Sequence, residues 1–165
     1  MTSVEQLFAE YHQSLLRMLY RRTGDRDRSE DIAQEVFARA VEAPPHNPRP
    51  WLFAVALNLV RDDGRRAVRQ GRRLQLLKAE VDHPSPAPDQ VLEEKEQKAR
   101  VERALALLRD IDREVLLLKA EGFDYDEIAA TTGLAKGAIG TTIARARRRL
   151  VEAYRAEEKD RHVAS

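Results

Sequence analysis

All seven prolines of this 165-residue chain fall in two clusters, Pro44/Pro45/Pro48/Pro50 and Pro84/Pro86/Pro88. Proline fixes φ and lacks the amide that a helix interior needs, so the clusters divide the chain and leave long stretches free to coil. Those stretches carry helical rather than strand-like spacing. Val4, Leu7, Phe8, Tyr11, Leu15, Met18 and Leu19 recur at i, i+3, i+4 and i+7. Asp27 and Glu30 have capping-box spacing ahead of Ile32, Val36, Phe37 and Ala40. Pro50 suits the first turn of a third helix with Leu52, Val55, Ala56 and Leu59 as its stripe.

Beyond the second cluster, Val101, Leu105 and Leu108 mark a further helix. Another is expected from about Asp112, through Val115, Leu116 and Leu118, to a stop at Gly122. Asp124 and Glu127 form a capping box for a short helix, Tyr125–Thr132, closed by Gly133, and a long helix is expected from about Lys136 to Tyr154. The expected fold is all-α. It has two small helical domains, residues 1–73 and 92–165, joined by a flexible linker over 74–91, with the HPSPAPDQ stretch extended.

The absence of cysteine excludes a disulfide scaffold, a Cys-ligated zinc site and a thiol nucleophile, and fits a reducing compartment. No apolar run approaches the ~20 residues a membrane span needs. The N-terminal MTSVEQLFAEYHQ lacks the basic region and apolar core of a signal peptide, so a cytoplasmic location is expected. His12, His46, His83 and His162 lie in unrelated segments, and no Gly-rich phosphate loop or carboxylate–base pair is present. An enzyme, a metal site and a cofactor are therefore not expected.

Charge points elsewhere. Net charge is only +1, yet residues 1–73 carry +3, residues 74–99 carry −3, and the basic side chains gather in Arg61–Arg73 and Lys136–Arg155. Unaided DNA binders show a broad basic excess, because affinity rises with each phosphate neutralised. This layout is that of a conditional DNA binder. The short helix, Gly133 and the basic helix together make a helix-turn-helix, locked by Ile128, Ala129, Leu134 and Ile139. Its second helix projects Lys136, Thr141, Thr142 and Arg145 at a major groove. Arg147, Arg148 and Arg149, which cannot share one face, suit phosphates.

The blocks SEDIAQEVFARA and RPWLFAVALNLVRDDGRR in the first half, with REVLLLKAEGFDYDEIAATTGL and RARRRL in the second, resemble the bacterial extracytoplasmic-function (ECF) sigma factors over about residues 4–155. The resemblance implies a factor that binds core RNA polymerase, reads two promoter elements and opens the duplex at the downstream one. A cognate anti-sigma factor, often membrane-anchored, is a further implied partner; a small-molecule substrate and direct membrane insertion are not. It implies polymerase docking through Glu30, Asp31, Gln34, Glu35 and Phe37, with Phe37 alternatively in the core. It places Trp51, Asn58, Arg61, Asp62, Arg65 and Arg66 in the minus-ten recognition and melting region. Arginines suit the strand backbone, Asn58 a base edge and Trp51 base stacking, although Trp51 serves equally as a core anchor. The loop Ala43–Arg49, with His46 and Asn47, would hold a flipped base.

Residues 74–90 span at most about 55–60 Å extended. That matches about 17 base pairs at ~3.4 Å each, the separation the resemblance implies between the two elements. Several positions depart from the family pattern: Ala135 where Ser or Thr caps the recognition helix, Gly140 and Thr142 where Lys and Arg are common, and Asp110-Ile111-Asp112 in place of a Leu-Pro entry. The upstream element is expected to be read with fewer charged contacts. No further C-terminal regulatory domain is expected. Two other readings stay open. One is a self-sufficient helix-turn-helix regulator with residues 1–73 as sensor or dimer module, set apart by unaided DNA affinity. The other is a helical adaptor that never touches DNA.

Overall fold

Seven helices account for the regular structure of the computed structural model, which describes residues 3–70 and 89–163; no strand occurs among them. They are α1 (Val4–Thr23), α2 (Arg26–Glu42), α3 (Pro48–Gln70), α4 (Asp89–Ala106), α5 (Asp110–Ala120), α6 (Tyr125–Thr132) and α7 (Lys136–Val163). The linker expected over 74–91, with its reach, lies outside the described residues except for its last three, which are helical in α4.

Local chemistry sets most helix ends. Ser3 and Gln6 form a capping box at α1, and Asp124 with Glu127 forms the expected one at α6. Gly133 takes φ +80° to end α6, a left-handed conformation that disfavours any side chain. The expected box at Asp27 is not the start of α2. Asp25 caps it instead, its side chain accepting from the Arg28 amide at 3.0 Å, two residues earlier than the spacing implied. Asp27 falls in the first turn, where a carboxylate favours the helix dipole.

Helix α4 also differs from expectation: it ends at Ala106, so Leu108 is buried from the turn beyond it, while Val101 is 39% exposed. Helix α7 runs past Tyr154 because α4 braces its tail. Arg103 pairs with Glu157 at 2.5 Å, and the Arg100 guanidinium lies 4.7 Å from the Tyr154 ring centroid.

Helices α1–α3 pack around Leu15, Met18, Leu19, Ile32, Val36, Leu52 and Leu57, and a two-point Arg28–Asp63 ion pair ties α2 to α3. Helices α4–α7 pack around Val115, Leu118, Ile128, Ile139, Ile143 and Ala146. The two groups are not separate bodies in this structure. One apolar cluster runs through both, joined where Phe53 of α3 meets Phe123 edge to face, ring centroids 4.8 Å apart.

Helix α7 opens directly after Ala135, which has no side-chain oxygen to accept an orphan amide. Ala135→Ser should stabilise the chain by about 1 kcal/mol, and Asp124→Ala should destabilise it by a similar amount. Urea unfolding of the two variants checks both signs; an Ala135→Ser that gains nothing would move the start of α7.

Candidate nucleic-acid interface

The recognition helix is held by α5. Asp112, fully buried, accepts from Arg145 Nη2 at 2.9 Å, Arg149 Nη1 at 2.7 Å and Arg109 Nε at 3.4 Å. Burial pushes the Asp112 carboxyl up, but the guanidinium hydrogen bonds outweigh it and hold the group below its ordinary 3.8. The sequence departure at the entry to α5 thus supplies the carboxylate that fastens α7.

The predicted groove-reading residues divide accordingly. Lys136 and Thr141 are exposed, Lys136 pairing with Asp126 at 2.9 Å. Arg147 and Arg148 are exposed as well, whereas Arg145 and Arg149 are turned back onto Asp112. Thr142 does not face a groove. It is 6% exposed, and its hydroxyl donates to the Ala138 carbonyl, because it sits beside Ile143 on the inward face of α7. At Gly140 a Cβ would stand 3.5 Å from the Tyr125 ring, in ordinary van der Waals contact with it. The exposed stripe of α7 is therefore made of Lys136, Gly137, Thr141, Ala144 and Arg148.

In α3 Asn58, Asp62, Arg65 and Arg66 are exposed, with His46 and Asn47 exposed on the loop before it. Trp51 is only partly exposed and packs against the core cluster, which makes it an anchor of α3. Arg61 donates weakly to Asn58 at 3.4 Å and strongly, at 2.6 Å, to Glu114 of α5.

On α2, Glu30, Asp31, Gln34 and Glu35 are exposed on one face, Glu35 paired with Arg39 at 3.1 Å. Phe37 is a correction to the docking set. At 6% exposure it lies on the opposite face, against Phe8 at 5.1 Å between centroids, because i+3 and i+4 from Ala33 point inward.

What sequence spacing missed is the contact between the halves. Arg17 of α1 pairs with Glu121 through two hydrogen bonds, at 2.9 and 2.7 Å, and Arg21 approaches the same carboxylate at 3.6 Å. Arg22 reaches Asp110 at 3.1 Å and lies 3.7 Å from Glu114. Arg49 donates to the Glu121 carbonyl at 2.5 Å and stacks over the Phe123 ring at 4.1 Å. The signal available in sequence was slight: acidic residues at 112 and 114 among the apolar positions of a short helix.

With this geometry in place, the comparisons define the class. The Sigma-70 region 2 model matches residues 7–70 and the Sigma-70 region 4 model residues 98–150. The ECF RNA polymerase sigma factor EcfG of Rhodopseudomonas palustris is 32% identical over 133 residues, covering 78% of this chain and 72% of that protein. The ECF sigma factor SigE of Mycolicibacterium smegmatis is 30% identical over 159 residues, covering 91% of this chain but only 61% of its own length. The solved structure of CnrH in complex with the cytosolic domain of CnrY is similar at TM-score 0.67 and 28% identity, covering 93% of this chain and 88% of that one. This chain belongs to the ECF sigma factors of bacterial RNA polymerase. Among the described residues no helix is long and apolar enough to cross a membrane, and no group of three or more His, Cys, Asp or Glu could hold a metal ion.

Asp112→Asn should cost about 1–3 kcal/mol at neutral pH, since it removes the charge that three partly exposed guanidiniums hydrogen-bond. A carboxyl held low in the folded state stabilises above its unfolded pKa and ceases to do so as pH falls through the folded one. Urea unfolding should therefore show the gap between wild type and variant narrowing below the ordinary 3.8. A gap that is constant with pH would contradict the assignment.

Proposed function

We propose that this chain is a promoter-specificity subunit: it joins core RNA polymerase and directs initiation at promoters with two separated elements. The observation that carries the reading is the order of parts on one chain. A region 2 match contains an exposed acidic helix face and an arginine-bearing α3, and a region 4 match contains a capped helix-turn-helix. Residues 1–73 serve as the polymerase-docking and melting part, 74–91 as the linker and 92–165 as the upstream-element reader.

Each surface has its task in this reading. Glu30, Asp31, Gln34 and Glu35 present carboxylates and an amide to a basic helical partner on the polymerase, while Phe37 supports that face from within. Asn58, Asp62, Arg65 and Arg66 meet the melted strand, with His46 and Asn47 holding an extruded base and Trp51 fixing the start of α3. Extruding a base costs a few kcal/mol, which the loop and its neighbours must supply. Lys136, Thr141, Arg147 and Arg148 meet the upstream duplex. Arg145 and Arg149 contribute to the extent that they leave Asp112, and Thr142 contributes packing. The factor acts without catalysis of its own, in the cytoplasm, and an anti-sigma factor, as NepR is for the sigma factor RpoE of Bartonella quintana, is its regulator.

Run-off transcription with purified core polymerase on a promoter library tests the reading. Discrete transcripts that require both the chain and core are expected; their absence on every template would overturn it. Within that assay, Asn58→Ala, or Ala at His46 and Asn47 together, should lower transcription from duplex promoters roughly tenfold or more, equivalent to at least about 1.4 kcal/mol. Templates already mismatched across the melted region should recover most of the loss. Equal loss on both templates with normal core binding would remove these residues from melting.

A further inference from the structure

We propose that Asp112 is a specificity-determining positioning residue: by holding Arg145 and Arg149 it keeps two guanidiniums of α7 off phosphates, so that promoter choice rests more heavily on the exposed, uncharged Thr141 and Ala144. The inference rests on the reading of α7 as the upstream-element reader and names a residue outside the helix-turn-helix that tunes it.

The acceptor positions of the carboxylate are filled. Asp112 Oδ1 accepts from Arg145 Nε at 3.3 Å and Nη2 at 2.9 Å, and Oδ2 accepts from Arg149 Nη1 at 2.7 Å and Arg109 Nε at 3.4 Å. Those N–H groups match the roughly four lone-pair positions that two carboxylate oxygens offer. Arg145 and Arg149 stand one turn apart on the same side of α7, so one carboxylate on α5 can hold both. Their side chains are 36% and 41% exposed, while that of Asp112 is 0% exposed. Both arginines are thus near enough to solvent to meet a phosphate, yet tied inward.

A phosphate competes with this carboxylate on poor terms. Capturing either arginine would leave a buried charge short of its partner, and an uncompensated buried charge is costly. On the exposed stripe of α7, Thr141 and Ala144 present a hydroxyl and methyl groups, which suit base edges and the thymine methyl. Such contacts form in one register only. Phosphate contacts form in every register and reward any sequence, so two more mobile guanidiniums would favour non-cognate DNA.

The full chain carrying Asp112→Asn tests this. On a scrambled duplex without polymerase, anisotropy across a range of salt should show affinity raised roughly threefold or more and a salt slope steeper by about 1–2, since each added phosphate contact contributes about 0.9. Adding Arg149→Gln to Asp112→Asn should take back about one contact's worth of that slope. Asp112→Glu, which keeps the charge, should stay closer to wild type than Asp112→Asn on both counts. With core polymerase, the ratio of transcripts from the strongest promoter of a library to those from the rest should fall several-fold in Asp112→Asn and less in Asp112→Glu. Binding to scrambled DNA that is unchanged or weaker in Asp112→Asn, or equal changes in Asp112→Asn and Asp112→Glu, would overturn the proposal. Absence of transcripts from the wild-type chain with core would count instead against the initiation reading, and the duplex arm would still decide the role of Asp112.

Discussion

Helix α5 carries two fully buried carboxylates two residues apart, Asp112 and Glu114. At about 100° per residue they point to opposite sides of the helix. Asp112 fastens the recognition helix through Arg145 and Arg149, and Glu114 fastens the first half of the chain through Arg61 and Arg22. Eleven residues of helix thus set both the pose of α7 and the pose of α1–α3. A buried carboxylate left without its guanidiniums is costly, so each side is held to one geometry.

The consequence for function is a chain whose arginines are rationed. Those proposed to meet DNA fall into two groups: Arg65, Arg66, Arg147 and Arg148 are exposed, while Arg61, Arg145 and Arg149 are held by the chain's own carboxylates. The near-zero net charge read from composition has its structural counterpart here. Weak unaided attraction to duplex DNA follows from both.

Much of the fold was legible in the sequence because it is written locally. The Asp124–Glu127 box, Gly133 and the stripe of α1 are set by neighbours within four residues, and the structure keeps them. The start of α2 was misplaced because two aspartates stand two apart and only the side-chain geometry of Asp25 selects the cap. Phe37 lies inward, as the stripe of its helix implied and against the docking role the resemblance gave it, and Thr142, expected to project at a groove, is turned inward by the helical phase that Ile143 sets. The union of the halves was not legible at all. Arg17 and Glu121 are 104 residues apart, and no periodicity or spacing links a charge on α1 to one that follows α5.

The account's central claim is conditional DNA binding, and unaided affinity tests it most directly. Fluorescence anisotropy of a labelled promoter duplex, titrated with the chain alone and then with the chain on core polymerase across a range of salt, supplies the comparison. Weak, salt-sensitive binding by the chain alone and tight binding with core are predicted. Nanomolar, salt-resistant binding without polymerase would contradict the account and identify a self-sufficient regulator.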